Sequence, residues 1–304
     1  MIRIGVDFGG AKIEAAALDQ EGRFLSRIRA ANPGSYGPAL ETVRTLVEEA
    51  QRQSGARTAT VGIAMPGSIS PLTGRVRNAN STWLNDRPFD VDLERVLGRP
   101  VRLANDANCF ALSEATDGAA QGARVVFGAI LGSGCGGGVV VDGRAVAGAN
   151  GVAGEWGHSP LPWASPGEAD VSPCWCGRTG CLETWLSGTG FETHFAASNS
   201  GRRPAKEIAQ AARSGEPSAR AALDAYVDRL GRALAVVCDI LDPDVIVCGG
   251  GMSNIGEIYA EVPAVIARWV FSDCFVTPVR PALHGDSSGV RGAAWLWPAD
   301  SGGP

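Results

Sequence analysis

The chain begins with two short apolar stretches separated by glycines. Apolar residues recur over residues 2–7, Gly9 and Gly10 follow, and apolar residues resume over 13–18. This pattern predicts a strand, a glycine turn and a second strand, which is a β-hairpin and not the strand-to-helix entry of a dinucleotide-binding motif. Glycine lacks Cβ, so backbone N–H groups in such a turn can approach a phosphate closely. A hairpin of this kind is more often structural than catalytic.

The same plan recurs in the middle of the chain. Residues 126–143 run from an apolar strand through the glycine-rich turn 132–138 into a second apolar strand. The glycines and apolar runs coincide with those of residues 4–19. We therefore predict a duplicated α/β architecture with a nucleotide held in the cleft between its two halves. A third glycine cluster, 249–251, follows an apolar strand and suits close approach to a base or ribose.

One long helix is predicted before that third cluster. Apolar residues from Leu223 to Leu241 keep a spacing of three and four, which indicates one buried helical face. Pro217 marks the start of the helix and Asp242 with Pro243 its end.

Composition sets limits on the class of protein. The chain has 304 residues, enough for two domains, and a net charge of −5 without a long basic run. These values exclude the electrostatic pattern of a nucleic-acid-binding protein. No apolar stretch approaches the length of a membrane span, and Met1 leads directly into a strand pattern in place of a signal peptide. We expect a soluble, cytoplasmic protein with no membrane partner.

The cysteines are divided between one dense cluster and scattered positions. Cys174, Cys176 and Cys181 lie within eight residues that also contain glycines, and His158 lies upstream. These four residues can complete a closed Cys₃His zinc site; the alternative is a set of free, buried thiols. The scattered cysteines are predicted to be core residues, and they are Cys109, Cys135, Cys238, Cys248 and Cys274.

Acidic and amide side chains near these motifs suggest a substrate site. Glu155 and Glu183 flank the cysteine cluster, and Asp106 follows a short strand just before a helical stretch. Asp106 is either a helix cap, a position for which Asn108 competes, or a general base that accepts a hydroxyl proton. In the second case Asn105 orients a neighbouring hydroxyl.

The first half of the chain adds two polar loops and two charged residues. Residues 65–68 and 78–85 carry amides and one indole, which suit a sugar but are also common in turns. Asp7 is placed to hold a hydrated Mg²⁺, and Lys12 lies close enough to affect the local charge.

Taken together, these segments resemble the ROK family of sugar kinases nearly end to end. The motifs are DFGGAK (7–12), RLANDANCFALSEATDGAA (102–120), GSGCGGG (132–138), GEWGH (154–158), CWCGRTGCLET (174–184) and DPDVIVCGGGMSN (242–254). NANSTWLN (78–85) and HGDSSGVRGAAWLW (284–297) resemble the fructokinase branch of the family. Ala11 replaces the threonine usual in the first motif, which removes one hydrogen bond to phosphate.

The resemblance implies a duplicated actin-like ATPase fold of the hexokinase type, with the active site in the interdomain cleft. The first α/β domain is expected over 1–120, completed by a carboxyl-terminal helix over 288–304, and the second over 121–287. ATP with Mg²⁺ is the implied phosphoryl donor, a structural Zn²⁺ is implied at the cysteine cluster, and we expect a homodimer.

The resemblance also assigns roles to individual positions. Asp106 matches the catalytic base. The sugar-contacting positions, including Asp106 itself, are Gly67, Asn80, Asn105, Asp106, Glu155, His158 and Glu183. The zinc ligands are His158, Cys174, Cys176 and Cys181. The nucleotide positions are Asp7, Gly9, Gly10, Lys12, Gly132, Ser133, Gly134, Gly136, Gly137, Gly250 and Gly251.

These roles predict phosphorylation of a hexose at its 6-hydroxyl, with D-fructose as the best substrate. The alternatives within the family are an N-acetylglucosamine kinase and a glucokinase. A non-catalytic sugar sensor is less expected, because Asp106 and the phosphate glycines are present. A ROK repressor would carry an amino-terminal helix-turn-helix domain, for which a first strand at Ile2 leaves no room.

Overall fold

A computed structural model describes residues 1–168, 172–199 and 201–298 of the chain. Its strands are β1 (Ile2–Phe8), β2 (Lys12–Leu18), β3 (Phe24–Ala31), β4 (Ala59–Met65), β5 (Ser68–Ile69), β6 (Val76–Arg77), β7 (Val101–Asn105), β8 (Val125–Leu131), β9 (Cys135–Val141), β10 (Arg144–Ala145), β11 (Val245–Gly249) and β12 (Val279–Pro281). Its helices are α1 (Tyr36–Ser54), α2 (Phe89–Leu97), α3 (Asp106–Asp117), α4 (Glu183–Leu186), α5 (Gly188–Ser198), α6 (Ala205–Arg213), α7 (Pro217–Leu241), α8 (Glu257–Trp269) and α9 (Ser288–Trp295).

The chain divides into two compact units. The first comprises 1–122, 138–153 and the segment from Asp286 onward, and the second comprises 123–137 and 154–285. Our sequence-based division placed all of 121–287 in the second domain. Residues 138–153 fall in the first unit, where they pack on α3: a Cβ added at Gly138 would lie 2.3 Å from the carbonyl oxygen of Ala107. Of the predicted terminal helix 288–304, residues 299–304 lie outside the described residues.

The two main sheets repeat one topology. The first has the strand order β3-β2-β1-β4-β7 and the second β10-β9-β8-β11-β12. In each sheet the first strand in sequence is central, with the next two strands on one side and the last two on the other. Strands β1, β4 and β7 run parallel, as do β8, β11 and β12. The predicted duplication is confirmed, and it gives the actin-like fold of hexokinases.

The first sheet has a helix on each face because its central strand alternates. Ile4, Val6 and Phe8 of β1 point into a core shared with α1. Gly5 faces α9 instead, and a Cβ added there would lie only 1.8 Å from the carbonyl oxygen of Val290. The close approach of α9 to the sheet therefore requires glycine in β1.

In the second unit, the predicted long helix is present as α7. Its first turn begins at Pro217, and Asp242 caps its end in the left-handed conformation at φ 45°. Leu223, Tyr226 and Leu230 on the predicted apolar face are buried. The three/four spacing thus located this helix correctly.

The scattered cysteines follow the prediction with one exception. Cys109, Cys135, Cys238 and Cys248 are buried, but Cys274 is exposed, so its assignment to the core is wrong. Cys274 lies after α8 in a segment without helix or strand, where no neighbouring element covers it. Among the described helices, none combines the length and apolar character that crossing a membrane requires.

Candidate active site

The turn of the first hairpin carries the predicted phosphate residues Gly9, Gly10 and Lys12. Gly10 and Lys12 are exposed, and Asp7 is the last residue but one of the strand that precedes them, β1. Burial raises the pKa of Asp7, and the nearby Glu14 raises it further, while Lys12 acts in the opposite direction. The hairpin therefore exposes backbone N–H groups and one ammonium beside the partly buried carboxyl group of Asp7.

Asn32 fixes the backbone of this turn, and sequence reasoning missed it. Its side-chain amide donates to the carbonyl oxygen of Gly9 at 2.8 Å, and its backbone N–H donates to that of Ala11 at 2.9 Å. Asn32 follows β3, which pairs with the second strand of the hairpin, so the contact depends on strand register. An isolated asparagine after a strand gives no sequence signal for such a contact.

The carboxyl ends of the parallel strands bring several predicted residues together. Asn105 ends β7 and is the register partner of Met65 at the end of β4. The Asn105 side chain accepts from the Ala107 N–H at 2.9 Å and donates to the Gly67 carbonyl oxygen at 3.1 Å. Asn105 is therefore the N-cap of α3 and also joins the two strand ends.

Asp106 is exposed in the first turn of α3. Its Oδ1 accepts from the Ala107 N–H at 2.8 Å, which fixes one carboxylate oxygen. The capping role that we weighed for Asp106 or Asn108 belongs to Asn105. Asn108 is buried instead, with 8% of its surface exposed. Capping therefore does not account for Asp106, and the base role remains the functional prediction.

The loop of Asn80 packs next to Gly67. Gly67 has φ 72°, and an added Cβ would lie 2.3 Å from the Arg77 carbonyl oxygen, so only glycine fits. Asn85 closes the loop by bonding both the N–H and the carbonyl oxygen of Ala79, at 3.0 and 3.1 Å. Asn80 is left exposed. The loop indole, Trp83, packs against Phe8 with ring centroids 6.0 Å apart.

In the second unit, the hairpin between β8 and β9 carries the other phosphate residues. Ser133 is exposed, and the Gly132 N–H donates to the Gly134 carbonyl oxygen at 3.0 Å. Gly250, at φ 83°, packs against this turn, with its Cβ position 2.5 Å from the Leu131 carbonyl oxygen. The third glycine cluster, which includes Gly251, therefore lies beside the second hairpin.

Gly136 and Gly137 lie inside β9 and pack on the GEWGH segment of the same unit. The Gly136 carbonyl oxygen accepts from the Trp156 indole N–H at 2.8 Å. Gly137 is buried, and an added Cβ would lie 2.8 Å from Trp156. These two glycines therefore leave room for the Trp156 indole to pack against β9. The structure does not expose Gly137 to a phosphate.

The start of α5 also contacts the second hairpin, and sequence reasoning missed it. The Gly188 N–H donates to the Gly132 carbonyl oxygen at 2.8 Å. Ser187 caps the helix by accepting from the Gly190 N–H at 3.0 Å. The serine followed by glycines was a readable capping signal.

The predicted zinc ligands converge. One ligand atom from each of His158, Cys174, Cys176 and Cys181 lies within 4.8 Å of the others. The sulfurs of Cys176 and Cys181 are 3.6 Å apart, and His158 Nδ1 lies 3.6 Å from the Cys174 sulfur. A tetrahedral site with Zn–S bonds of about 2.3 Å needs sulfurs about 3.8 Å apart. The donor set and its spacing therefore fit Zn²⁺.

Glu183 connects this cluster to the hairpin. Its Oε2 accepts from the Cys135 N–H at 2.9 Å, and its Oε1 accepts from the Trp175 indole N–H at 2.6 Å. Trp175, between two of the cysteines, is 64% exposed and meets the His158 ring edge-on with centroids 5.1 Å apart. Sequence reasoning did not single out Trp175, because a residue between cysteine ligands usually carries no signal of its own.

Glu155 and Gly157 complete the second group. Glu155 is exposed. Gly157 packs so tightly that an added Cβ would lie 1.8 Å from the Cys135 carbonyl oxygen. The predicted residues thus form one group in each unit. The group in the first unit consists of the first hairpin with Gly67, Asn80, Asn105 and Asp106. The group in the second unit consists of the second hairpin and the third glycine cluster with Glu155, His158 and Glu183.

Comparison with known proteins gives consistent relatives. An N-acetyl-D-glucosamine kinase of Photobacterium profundum is 40% identical over 297 residues, covering 96% of this chain and 98% of the relative. That of Vibrio cholerae serotype O1 is 39% identical with the same coverage. These relatives do not confirm the expected fructokinase branch.

Solved structures agree on the fold. The ROK hexokinase of Thermus thermophilus superposes with a TM-score of 0.86 at 32% identity over 97% of each chain. A ROK family glucokinase of Streptomyces griseus, in complex with glucose and AMPPNP, gives 0.76 at 30% identity, covering 97% of this chain and 99% of the other. The ROK family profile itself matches residues 3–300. The chain therefore belongs to the ROK family, and it is a sugar kinase with the hexokinase-type, actin-like fold.

Proposed function

We propose that this protein is an N-acetyl-D-glucosamine kinase that transfers the γ-phosphoryl group of ATP to the sugar 6-hydroxyl. The proposal rests on the similarity of this chain to several N-acetyl-D-glucosamine kinases. These relatives are 39–40% identical to it over 96% of its length. This was an alternative in our sequence analysis, and it now replaces D-fructose as the main expectation.

Asp106 is the proposed general base. Its exposed carboxylate lies at the carboxyl end of a parallel strand, the edge at which α/β proteins bind ligands. The Ala107 N–H fixes one oxygen, and the carboxylate accepts the proton of the 6-hydroxyl as that oxygen attacks the γ-phosphorus. Asn105 holds the strand ends in register around it.

Each glycine hairpin is proposed to bind nucleotide phosphate through its own backbone N–H groups. Asn32 in the first unit and Gly188 in the second fix the two turns before nucleotide binds, so little ordering is needed on binding. Mg²⁺ would be held with Asp7, whose carboxyl group lies at the base of the first hairpin, and it would offset phosphate charge. The backbone supplies these contacts without the threonine hydroxyl that Ala11 lacks.

The Cys₃His cluster is proposed to hold a structural Zn²⁺, which when bound supplies a closed, four-ligand site and no reactive position. His158 faces the cluster with Nδ1, so its Nε2 remains available to a sugar hydroxyl. Trp175 aligns the Glu183 carboxylate by donating to it. Glu155, His158 and Glu183 are the proposed sugar contacts of this unit, and homodimer formation stays a prediction.

A coupled ATP-consumption assay over a sugar panel tests the proposal. We expect N-acetyl-D-glucosamine to give the highest kcat/KM among N-acetyl-D-glucosamine, N-acetyl-D-mannosamine, D-glucose, D-mannose and D-fructose. The panel distinguishes close analogues. If the protein hydrogen-bonds the acetamido group, a sugar without that group leaves polar atoms of the protein unpaired and binds less well. A higher kcat/KM for D-fructose or D-glucose would contradict the substrate while leaving a hexose kinase. No turnover of any sugar would contradict the activity.

A further inference from the structure

A cavity of about 460 Å³ opens in the first unit at the amino ends of its parallel strands. Ala59 and Thr60 at the start of β4 line it, with Arg57, Arg99 and Trp297 among its other walls. The volume falls within the range of small-molecule sites. The proposed kinase residues of this unit lie at the opposite strand ends, about 20 Å away along β1 by the rise per residue of a strand.

Arginines surround this cavity without acidic partners. Among the described residues, the Arg57 guanidinium has no hydrogen-bond or ion-pair partner, and Arg99 donates to the Gln51 side-chain oxygen and the Ala59 carbonyl oxygen, at 2.7 and 3.3 Å. Both acceptors are neutral. The two guanidinium charges therefore remain uncompensated beside the cavity, in a chain whose net charge is −5.

Two more arginines contact the Trp297 wall. Arg3 donates to the Trp297 carbonyl oxygen at 3.2 Å, and Arg102 stacks over the Trp297 ring at 4.3 Å. Neither forms an ion pair with any described carboxylate. By contrast, Arg44 on α1 of the same unit is bonded to Glu41 and Glu48. The charge of Arg44 is therefore compensated by carboxylates, whereas the charges of Arg57 and Arg99 are not.

Unsatisfied polar atoms lie at the same place. Thr60, 6% exposed, lines the cavity, and its hydroxyl has no partner among the described residues. Arg3, its register neighbour on β1, is 2% exposed and likewise has an unpaired Nη1. Buried donors without partners are costly, so a group bound in the cavity that accepts a hydrogen bond would satisfy the Thr60 hydroxyl.

We propose that this cavity is a binding site for a small organic oxyanion, a carboxylate or a phosphate ester attached to an apolar body. Guanidinium groups bind both kinds of oxyanion through paired N–H donors. Trp297 and Pro100 supply the apolar wall. The inference does not depend on the proposed sugar, and the site is separate from the phosphate hairpins.

Isothermal titration calorimetry with phenyl phosphate tests the site, with benzoate as the carboxylate probe and phenol as the neutral match. We expect saturable binding of at least one anion, weakened by added salt, and none of phenol. Arg57→Gln and Arg99→Gln should each weaken binding by about 10-fold or more, because each removes a charged hydrogen-bond donor. Arg44→Gln, which removes the same charge from a paired position, should leave it unchanged.

A repeat with a non-hydrolysable ATP analogue at saturation separates this site from the phosphate hairpins, and binding should persist. Arg57 is exposed, so Arg57→Gln is expected to fold, and an unaltered melting temperature verifies this. Absence of anion binding, equal binding of phenol, equal affinity in Arg57→Gln and Arg44→Gln, or displacement by the analogue would each overturn the proposal.

Discussion

Asp106 and Asn105 are adjacent in sequence but have separable tasks. Asn105 caps α3 and bonds Gly67, whereas the Asp106 carboxylate remains exposed. Asp106→Asn preserves size and an oxygen that can accept from the Ala107 N–H. We expect kcat to fall by about 10²–10⁴-fold, because the amide cannot accept the hydroxyl proton. Sugar binding, measured by calorimetry, should change little.

Asp224→Asn is the control for this change. Asp224 is an exposed acid on α7 whose side chain pairs with Arg220, and its amide should retain full turnover. Near-native turnover in Asp106→Asn would leave Asp106 without a catalytic role.

Helix α9 can pack closely on helix α3 only because glycine stands at the point of contact. A Cβ added at Gly292 would lie 1.7 Å from the carbonyl oxygen of Cys109 in α3. Gly292→Ala should lower the midpoint of thermal unfolding, because overpacking of about 1–3 kcal/mol exceeds the helix propensity gained from alanine. Differential scanning calorimetry measures the shift.

Gly37 provides a matched glycine in helix α1. No atom lies within 4 Å of its Cβ position, and it is exposed. Gly37→Ala should leave the midpoint unchanged or raise it. Equal midpoints for the Gly292 and Gly37 variants would show that α9 can move away from α3 without cost.

The sequence predicted best those helices and hairpins whose formation depends on residues close together in the chain. The spacing from Leu223 to Leu241 gave α7, and the glycine turns gave both hairpins, because periodicity and backbone freedom act over a few residues. The contacts of Asn32 with the first hairpin and of Trp175 with Glu183 were not predictable. They join segments whose approach depends on strand register and on the course of the cysteine loop.

On the scale of the whole molecule, the cysteine cluster is expected to stabilise the second unit. Cys176→Ser should lower zinc content below about one per chain, lower the melting temperature and raise the KM for sugar, because the cluster includes His158 and adjoins Glu183. Elemental analysis, calorimetry and kinetics measure the three effects.

Cys274→Ser makes the same chemical change at an exposed cysteine outside the cluster. It should match the parent protein in all three measurements. Zinc-free parent protein purified without chelator, or a fully active Cys176→Ser variant, would contradict a structural metal.

The short path from Cys181 to Gly188 has a thermodynamic consequence. Within eight residues the chain passes from Cys181, a proposed zinc ligand, through Glu183, which bonds the second hairpin, to Gly188, which bonds it again. Two ligands that order the same segment are linked, and linkage is reciprocal. If the hairpin binds nucleotide as proposed, occupancy by nucleotide must tighten retention of zinc by the same factor by which zinc tightens nucleotide binding. The enzyme with nucleotide bound would then lose zinc more slowly than the enzyme without nucleotide.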